Sequence, residues 1–386
     1  MSRKIVAVVG TRPNLVKIAP ILRAIGQHEP GAGETRLMPV LVHTGQHYDD
    51  GLSGRFFADL RLPAPDHQLG ARSGSHAAQT ADIMRRLEPV LVSERPDLVL
   101  VVGDVNSTLA AALTAAQLHL PIAHVEAGLR SFDRTMPEEL NRIVTDVLSD
   151  ILFTTEADAD ANLRREGRPA EAIHFVGNVM VDSLLWALPL SEPSTILDQL
   201  GLARGQDFAL LTVHRPSNVD VRADLTEILS ITAELAAELP VIFPAHPRTR
   251  ARIAEWDLSH YVRDPGGPPR GVVLTEPLGY LDFVHLMQRA RVVLTDSGGV
   301  QDETTALGVP CLTLRPHTER PVTVTSGTAV IVDRQRDAIL THARAALGRA
   351  RNVRRSPPPL WDGHTAERIV HILAGGSGVA ADRRNG

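Results

Sequence analysis

The stretch 292–303 reads Val-Val-Leu-Thr-Asp-Ser-Gly-Gly-Val-Gln-Asp-Glu, an apolar β-branched run followed by a turn of very small residues. This order predicts a buried strand, a tight turn and the start of a helix. Ser297, Gly298 and Gly299 let a ligand approach the backbone, and the helix N-terminus offers free N–H groups and a partial positive charge. Such a turn suits a phosphate, although it is also an ordinary strand–helix connection capped by Asp296 or Ser297.

Apolar runs of the same kind recur along the whole chain and predict strands that are buried on both faces. In the first half we predict strands at 5–9, 37–43, 98–102, 122–125, 150–155 and 173–176. In the second half we predict strands at 208–213, 241–243, 272–274, 292–295, 310–314 and 329–332. Helical patterns alternate with these runs, for example at 15–25, 77–93, 107–118, 225–239 and 280–290. The fold class is therefore α/β, with two Rossmann-like parallel sheets, helices on both faces of each, and a cleft between the two domains.

A length of 386 residues fits two domains better than one, because single cores rarely grow beyond ~250–300 residues. We predict an N-terminal Rossmann-like domain over 1–182 that is completed by a helix at 364–374. The C-terminal Rossmann-like domain is predicted over 183–360, with a hinge or linker at the proline-bounded segment 189–193. Residues 375–386 are rich in Gly, Ala and Arg and are predicted to form a flexible tail.

The overall composition and charge exclude several classes of protein. A formal net charge of −5 argues against a nucleic-acid-binding surface. Cys311 is the single cysteine, so neither a disulfide framework nor a cysteine-based zinc site can form. Because we find neither a secretory signal nor a membrane span, we expect a cytoplasmic protein.

Charged side chains follow the predicted strands of the first half directly. Arg12 follows the first strand, Asp104 the third, and Glu126 and Arg130 the fourth. Ligands of parallel sheets bind beyond the carboxyl ends of the strands, so we expect these side chains to converge on one crevice. Each of them taken alone could equally be a surface residue or a helix cap.

A helix is predicted over 138–148, where Pro137 and two acidic residues form a good helix start. Glu138 and Arg142 lie four residues apart, so they share a face and can act together. The apolar pattern predicts that the buried face of this helix consists of Leu140, Ile143, Val144, Val147 and Leu148. No Gly-x-Gly-x-x-Gly follows the first strand, which argues against a dinucleotide bound in the usual Rossmann manner.

Taken together, these motifs resemble the non-hydrolysing UDP-N-acetylglucosamine 2-epimerases, which share the two-domain fold of GT-B glycosyltransferases. The resemblance runs nearly end to end, and its blocks lie at 10–13, 103–104, 124–130, 137–142, 214–215, 296–303 and 318–321. It implies reversible C2 epimerisation of UDP-N-acetylglucosamine to UDP-N-acetylmannosamine, by elimination and re-addition of UDP through a 2-acetamidoglucal. It implies no metal and no cofactor, and we expect a homodimer that acts in polysaccharide or antibiotic sugar biosynthesis.

The resemblance also implies a role for individual residues. The catalytic groups would be three carboxylates around the inverted carbon and a histidine that assists departure of UDP, namely Asp104, Glu126, Glu138 and His214. Phosphate, ribose and sugar would be held by Arg12, Lys17, Arg142, His246, Ser297, Gly298, Gly299, Glu303 and Arg320. A regulatory UDP-sugar site, present in some bacterial members, would involve Gln46, His47 and His246.

Four places depart from the family pattern. Asn14 and Val322 stand where the family usually has Glu, and Ser217 stands where it has an acid. Near the end, Leu360-Trp361-Asp362-Gly363 replaces the usual Tyr-Gly-Asp-Gly. These changes leave the proton-handling residues in place and bear on sugar specificity. A 2-epimerase for a modified UDP-sugar, such as a 2,3-diacetamido uronic acid or an antibiotic-pathway sugar, is therefore the first alternative. A hydrolysing 2-epimerase, a GT-B glycosyltransferase that shares the 297–303 site, and a non-catalytic UDP-sugar sensor are the others.

Overall fold

The computed structural model describes residues 2–31, 33–46, 50–266, 272–348 and 356–375. The chain divides into two units, of which the first comprises Met1–Ser183 with Pro359–Gly386 and the second Leu184–Pro358. Within the described ranges each unit contains a seven-stranded parallel sheet with helices on both faces, as predicted.

The sheet of the first unit has the strand order β3-β2-β1-β4-β5-β6-β7. Its strands are β1 (Ser2–Val9), β2 (Arg36–His43), β3 (His67–Gln68), β4 (Leu98–Val102), β5 (Ile122–Ala127), β6 (Ile151–Thr154) and β7 (Ile173–Phe175). Its helices are α1 (Arg12–Gln27), α2 (Asp50–Asp59), α3 (His76–Glu94), α4 (Asn106–Gln117), α5 (Pro137–Leu148) and α6 (Ala157–Arg165).

The sheet of the second unit has the order β10-β11-β9-β8-β12-β13-β14. Its strands are β8 (Ala209–Thr212), β9 (Val241–Pro244), β10 (Val262–Arg263), β11 (Val272–Thr275), β12 (Val292–Thr295), β13 (Cys311–Thr313) and β14 (Ala329–Ile331). The remaining helices are α7 (Val179–Ser191), α8 (Ile196–Gln199), α9 (Pro216–Val219), α10 (Arg222–Leu235), α11 (Pro247–Glu255), α12 (Tyr280–Met287), α13 (Gly298–Leu307), α14 (Pro321–Thr325), α15 (Arg336–Leu347) and α16 (Thr365–Gly375).

Each sheet reverses its direction of growth at one pair of neighbouring strands. In the first unit that pair is β1 and β4, and in the second unit it is β8 and β12. The helices that follow the two strands of such a pair lie on opposite faces of the sheet, which leaves a crevice at the carboxyl ends. The crevice of the first unit is therefore bordered by the residues after β1 and β4, and that of the second by the residues after β8 and β12.

The apolar runs form these strands because both faces of each sheet are covered. All five residues of β4, Leu98–Val102, are fully buried. Val99 packs with Leu87 of α3 and Ala111 of α4 in one hydrophobic cluster. Full burial of a Val or Leu side chain contributes roughly 1.5–3 kcal/mol, so these central strands anchor the unit.

The predicted linker at 189–193 is wrong in its first part, because α7 continues through Pro189 to Ser191. This helix buries apolar side chains such as Val181, Leu184 and Ala187, whose packing outweighs the backbone hydrogen bond that a proline near the helix end removes. The boundary between the two units falls inside the same helix, after Ser183.

The last helix, α16, packs against α1 of the first unit. The Oδ2 atom of Asp182 accepts a hydrogen bond of 2.7 Å from the Ala366 amide at the start of α16, and Arg3 donates to the Leu373 carbonyl at its end. Gly375 is the last residue of this helix, and residues 376–386 of the predicted tail lie outside the described residues. Across the ranges that the structure describes, every helix is too short or too polar to cross a membrane.

Candidate active site

The turn between β1 and α1 is tied to the end of β4 by one side chain. The Oδ1 atom of Asn14 accepts hydrogen bonds of 3.2 Å from the Gly10 and Thr11 amides. Its amide group donates to the Val102 carbonyl at 2.9 Å. A glutamate at this position has no N–H to offer that carbonyl, so Asn14 joins the two borders of the crevice in a way that the family's usual residue does not.

Two of the predicted residues face the crevice from these borders. Arg12 is the first residue of α1, and its guanidinium lies over the ring of Phe56, 5.8 Å from the ring centre. Asp104 follows β4 and forms an ion pair with Arg142 of α5. Arg142 is nearly fully buried, whereas 26% of the Asp104 side chain is exposed. The carboxylate of Asp104 is thus fixed in place and still accessible to a ligand.

Glu126 lies at the end of β5, the strand next to β4, and forms a buried ion pair with Lys17 of α1. Its backbone has a φ of 74°, and the pairing with β6 shifts register between Val125 and Ala127. A residue other than glycine in this region of φ is under strain of order 1–3 kcal/mol, which occurs mainly at functional sites. Lys17, which we expected among the groups that bind phosphate or sugar, is thus engaged with one of the predicted catalytic carboxylates.

The predicted buried face of α5 is wrong. Leu140, Val144 and Val147 are exposed, with 48%, 37% and 56% of their surface accessible, and Ile143 and Leu148 are only partly buried. The side chains that α5 buries are polar, namely Glu139, Asn141, Arg142, Thr145 and Asp146.

The buried polar face of α5 holds the loops that follow β4 and β5. Glu139 accepts hydrogen bonds from the Ser131 and Phe132 amides at 2.8 and 3.0 Å. Asn141 donates to the Asp104 carbonyl at 2.9 Å. A polar group buried without a partner is costly, so these bonds account for the inverted orientation of the helix. Glu138 lies partly buried in the first turn of the same helix.

Three residues are expected at a regulatory site. One of them, Gln46, follows β2 and is partly buried. Its Oε1 atom accepts hydrogen bonds from the amide and the hydroxyl of Ser107, at 3.1 and 2.7 Å. His47 lies outside the described residues. His246, in the second unit, precedes α11 and accepts a hydrogen bond from the Arg248 amide at 3.3 Å.

In the second unit the stretch 292–303 forms β12, a turn and the start of α13, as predicted. Ser297 is the N-cap of α13, and its hydroxyl accepts from the Val300 amide. A Cβ atom at Gly298 would lie 2.8 Å from Glu319 Oε1 and 3.0 Å from Arg320 Nε, so the turn packs closely against both side chains. The start of α13 has the small residues that let an anion approach the first amides of a helix, which is the arrangement expected from the sequence.

Glu303 is fully buried in α13 beside Tyr280 of α12, whose hydroxyl donates to Glu303 Oε1 at 3.0 Å. Burial raises the pKa of Glu303 to about 8, and the nearby charge of Asp302 adds to this, while the Tyr280 hydrogen bond acts in the opposite direction. Arg320 Nε lies 3.0 Å from Asp302 Oδ2. The carboxyl of Glu303 is thus poised to change its protonation state when a hydrogen-bonding ligand arrives.

His214 follows β8, and its Nδ1 lies 3.0 Å from Oδ1 of Asp296, which follows β12. Asp296 also accepts from the amides of His214 and Arg215 and from the side chain of Asn218, each within 3.1 Å. Burial alone would raise the pKa of Asp296, but these donors and the adjacent imidazole lower it to about 2. The ionised carboxylate orients the imidazole, of which about half is exposed.

From the sequence, Asp296 is predicted only as a helix cap, and no role is predicted for Tyr280 or Asp146. Asp296 lies directly beside the predicted phosphate turn, which was the available signal for its role. Tyr280 and Asp146 lie more than 20 residues from Glu303 and His124, the residues that they contact, so only the tertiary structure shows these contacts.

Within the described part of the chain, no group of three or more His, Cys, Asp or Glu side chains could hold a metal ion.

Comparison with known proteins places this chain among well-defined relatives. The UDP-N-acetylglucosamine 2-epimerase of Methanocaldococcus jannaschii is 39% identical over 377 residues, which covers 97% of this chain and 99% of that protein. The UDP-2,3-diacetamido-2,3-dideoxy-D-glucuronate 2-epimerase of Pseudomonas aeruginosa is 41% identical over 375 residues, covering 96% and 99%.

Solved structures agree with these relatives. The crystal structure of the M. jannaschii UDP-GlcNAc 2-epimerase in complex with UDP-GlcNAc and UDP superposes with a TM-score of 0.86 at 39% identity, covering 96% of this chain and 99% of that one. The family model described as UDP-N-acetylglucosamine 2-epimerase matches residues 32–374. This chain therefore belongs to the UDP-N-acetylglucosamine 2-epimerase family.

Proposed function

We propose that this protein catalyses the reversible C2 epimerisation of UDP-N-acetylglucosamine to UDP-N-acetylmannosamine without net hydrolysis. The observation that carries the proposal is the presence of two carboxylates, Asp104 and Glu126, at the ends of adjacent strands, each held by a cation. Inversion at a carbon requires a proton to leave one face and return to the other, and two fixed carboxyl groups suit that task.

The C2 proton of such a sugar is not acidic, so its removal has to be coupled to loss of the substituent at C1. In the proposed reaction a carboxylate takes the C2 proton while the C1–O bond to UDP breaks, which leaves a 2-acetamidoglucal. UDP then adds back to C1 as a proton is delivered to the opposite face of C2. Asp104, Glu126 and Glu138 are the proposed proton-handling groups of this scheme.

Side chains and backbone amides of the second unit suit the binding of UDP, which is both the part of the substrate that they hold and the leaving group. In the proposal the first amides of α13, from Ser297 to Gly299, bind the diphosphate, and Glu303 binds the ribose. His214, oriented by Asp296, donates a proton or a hydrogen bond to the departing diphosphate. The cationic side chains proposed to neutralise phosphate or to hold the sugar are Arg12, Arg142 and Arg320.

A second candidate substrate has a specific observation in its favour. The Pseudomonas relative acts on a 2,3-diacetamido uronate by its name, and it is 41% identical over nearly the whole chain. The same C2 chemistry would serve that sugar, since only the substituents at C3 and C6 differ. Asn14, Ser217 and Val322 are the positions at which a different sugar would first be accommodated.

The deciding experiment incubates the protein with each UDP-sugar in deuterated water and follows C2 by NMR. Deuterium at C2 together with a new manno epimer supports the proposal and identifies the substrate. Release of UDP with a free 2-acetamido sugar would indicate a hydrolysing enzyme. If neither sugar exchanges deuterium nor releases UDP, the proposed activity is wrong.

We also propose that the protein is a cytoplasmic homodimer and that two copies meet through α5. The exposed Leu140, Val144 and Val147 are spaced by four and three residues, which is the spacing of a helix–helix seam. A two-fold interface uses the same surface patch on both copies, so one such apolar seam on each copy would form both halves of the contact.

A further inference from the structure

One buried histidine contacts the backbone immediately before Asp104. His124 lies in β5 and is fully buried. Its Nε2 lies 2.8 Å from the Gly103 carbonyl, and its Nδ1 lies 2.7 Å from Oδ1 of Asp146 on α5. Neither partner is among the residues to which the proposed reaction gives a role.

The contact with Gly103 defines one hydrogen of the imidazole ring. The Gly103 carbonyl can only accept, so Nε2 carries a hydrogen. Asp146 Oδ2 accepts from the Gly128 amide at 3.0 Å and lies 2.7 Å from an Arg130 nitrogen, so this carboxyl is surrounded by donors. Asp146 is thereby held in place and orients the His124 ring through Nδ1.

Arg130 fixes Asp146 in turn. Its side chain is nearly fully buried and donates to both carboxylate oxygens of Glu166, at 2.8 and 2.6 Å. Bidentate pairs of this kind have a defined geometry, so the guanidinium that contacts Asp146 is itself held in place.

The backbone that His124 holds leads directly into Asp104, whose carbonyl accepts from Asn141 and whose carboxylate pairs with Arg142. Gly103 has a φ of 68°, a region that favours glycine. Glycine is the most flexible residue, so a hydrogen bond to the peptide that joins Gly103 to Asp104 restricts the rotation of that peptide. The His124 hydrogen bond fixes the carbonyl of that peptide and hence the point from which the Asp104 side chain extends.

We propose that His124, oriented by Asp146, is a positioning residue that aims the carboxylate of Asp104 at the substrate. The proposal rests on the proposed epimerase function, in which Asp104 handles the proton at C2. Misplacement of a reacting group by about 1 Å can cost on the order of 100-fold in rate, so loss of the constraint should reduce kcat far more than substrate binding.

A matched pair of variants tests this role. His124→Gln keeps a side-chain N–H near the position of Nε2, whereas His124→Phe keeps the bulk of the ring and removes the donor. We expect kcat to fall about 100-fold in His124→Phe and to recover roughly tenfold in His124→Gln. KM for the UDP-sugar and the Kd of UDP should change less than about threefold in both variants. Equal activity of the two variants, or a loss expressed mainly in KM, would overturn the positioning role.

The wild-type protein provides an independent readout, which remains valid if a variant does not fold. In ¹⁵N-histidine NMR spectra, we expect Nε2 of His124 to carry a hydrogen that is shared with the Gly103 carbonyl. A ring whose Nε2 carries no hydrogen would contradict the proposal. If the wild type exchanges no C2 hydrogen in any UDP-sugar, the proposed function fails; if it is active and the variants behave as the wild type, only the role of His124 fails.

Discussion

The ammonium group of Lys17 forms a buried ion pair with the carboxylate of Glu126, the last but one residue of β5, which has a left-handed backbone conformation. Both side chains are less than a tenth exposed. The pair joins the helix after β1 to the end of β5, across the intervening strand β4. It therefore links the carboxyl end of the first sheet to the same helix that begins with Arg12.

Removing one member of this pair should destabilise the protein more than removing both. Lys17→Met leaves a buried carboxylate without its cation, which typically costs about 3–5 kcal/mol. In the double variant Lys17→Met with Glu126→Gln both charges are absent, and we expect most of that stability to return. Urea denaturation of the wild type, both single variants and the double variant measures the coupling. Additive losses would show that the two side chains do not stabilise each other.

Neutralising either of the two fixed carboxylates should lower the rate of epimerisation without weakening the binding of UDP. We expect Asp104→Asn and Glu126→Gln to lower epimerisation by at least about 100-fold, because proton transfer by a positioned group contributes 10²–10⁴-fold. The Kd of UDP, measured by calorimetry, should stay within about twofold, since the diphosphate and ribose are proposed to bind residues of the second unit. A parallel loss of UDP affinity and activity would argue against a role confined to proton handling.

The apolar seam on α5 should control the oligomeric state. Val147→Lys places a charge within the proposed contact, at its most exposed side chain, so we expect it to shift sedimentation from dimer towards monomer. Val221→Lys is the matched control, because that valine is similarly exposed, at 49%, and lies in the second unit. A wild-type protein that sediments as a monomer, or a Val147→Lys protein that remains a dimer, would exclude this seam as the contact.

The central strands could be predicted closely from the sequence because their environment leaves little choice. Leu98–Val102 was predicted to the residue, since five consecutive apolar side chains suit only a strand covered on both faces. The edge strands His67–Gln68 and Val262–Arg263 were missed. Each has two residues and a single neighbouring strand, so neither carries the continuous apolar pattern that a central strand requires.

The orientation of α5 shows where pattern reasoning fails. An amphipathic helix ordinarily turns its apolar face inward, and on that basis Leu140 and Val147 were predicted to be buried. Arg142 and Asp146 are buried instead, because they pair with Asp104, which follows β4, and with His124, which lies within β5. Those partners are distant in sequence, so the hydrogen-bond requirements that decide the orientation are visible only in three dimensions.

The protonation of Glu303 should couple UDP binding to pH. Its pKa of about 8 means that the carboxyl is mostly protonated at pH 7 in the free protein. Ribose hydroxyls donate hydrogen bonds best to the ionised form, so binding should release a proton, and UDP affinity should increase as the pH rises towards 8. Calorimetry in buffers of different ionisation enthalpy measures the proton release. No release at pH 7, or tighter binding at lower pH, would contradict this role for Glu303.

Two variants separate the contribution of Glu303 from that of other titrating groups. The side chain in Glu303→Gln cannot titrate. We therefore expect this variant to bind UDP more weakly, and we expect its UDP affinity not to increase towards pH 8. Tyr280→Phe removes the hydrogen bond that lowers the pKa of Glu303, so the rise in affinity should move to higher pH.

The raised pKa of Glu303 should also affect the stability of the folded protein. Because the pKa in the folded protein lies above the ordinary value of 4.5, the stability of the ligand-free protein should fall as the pH rises from about 4.5 to about 8. Thermal unfolding of the wild type against Glu303→Gln over that range isolates this component, and parallel curves for the two proteins would show that Glu303 does not titrate there.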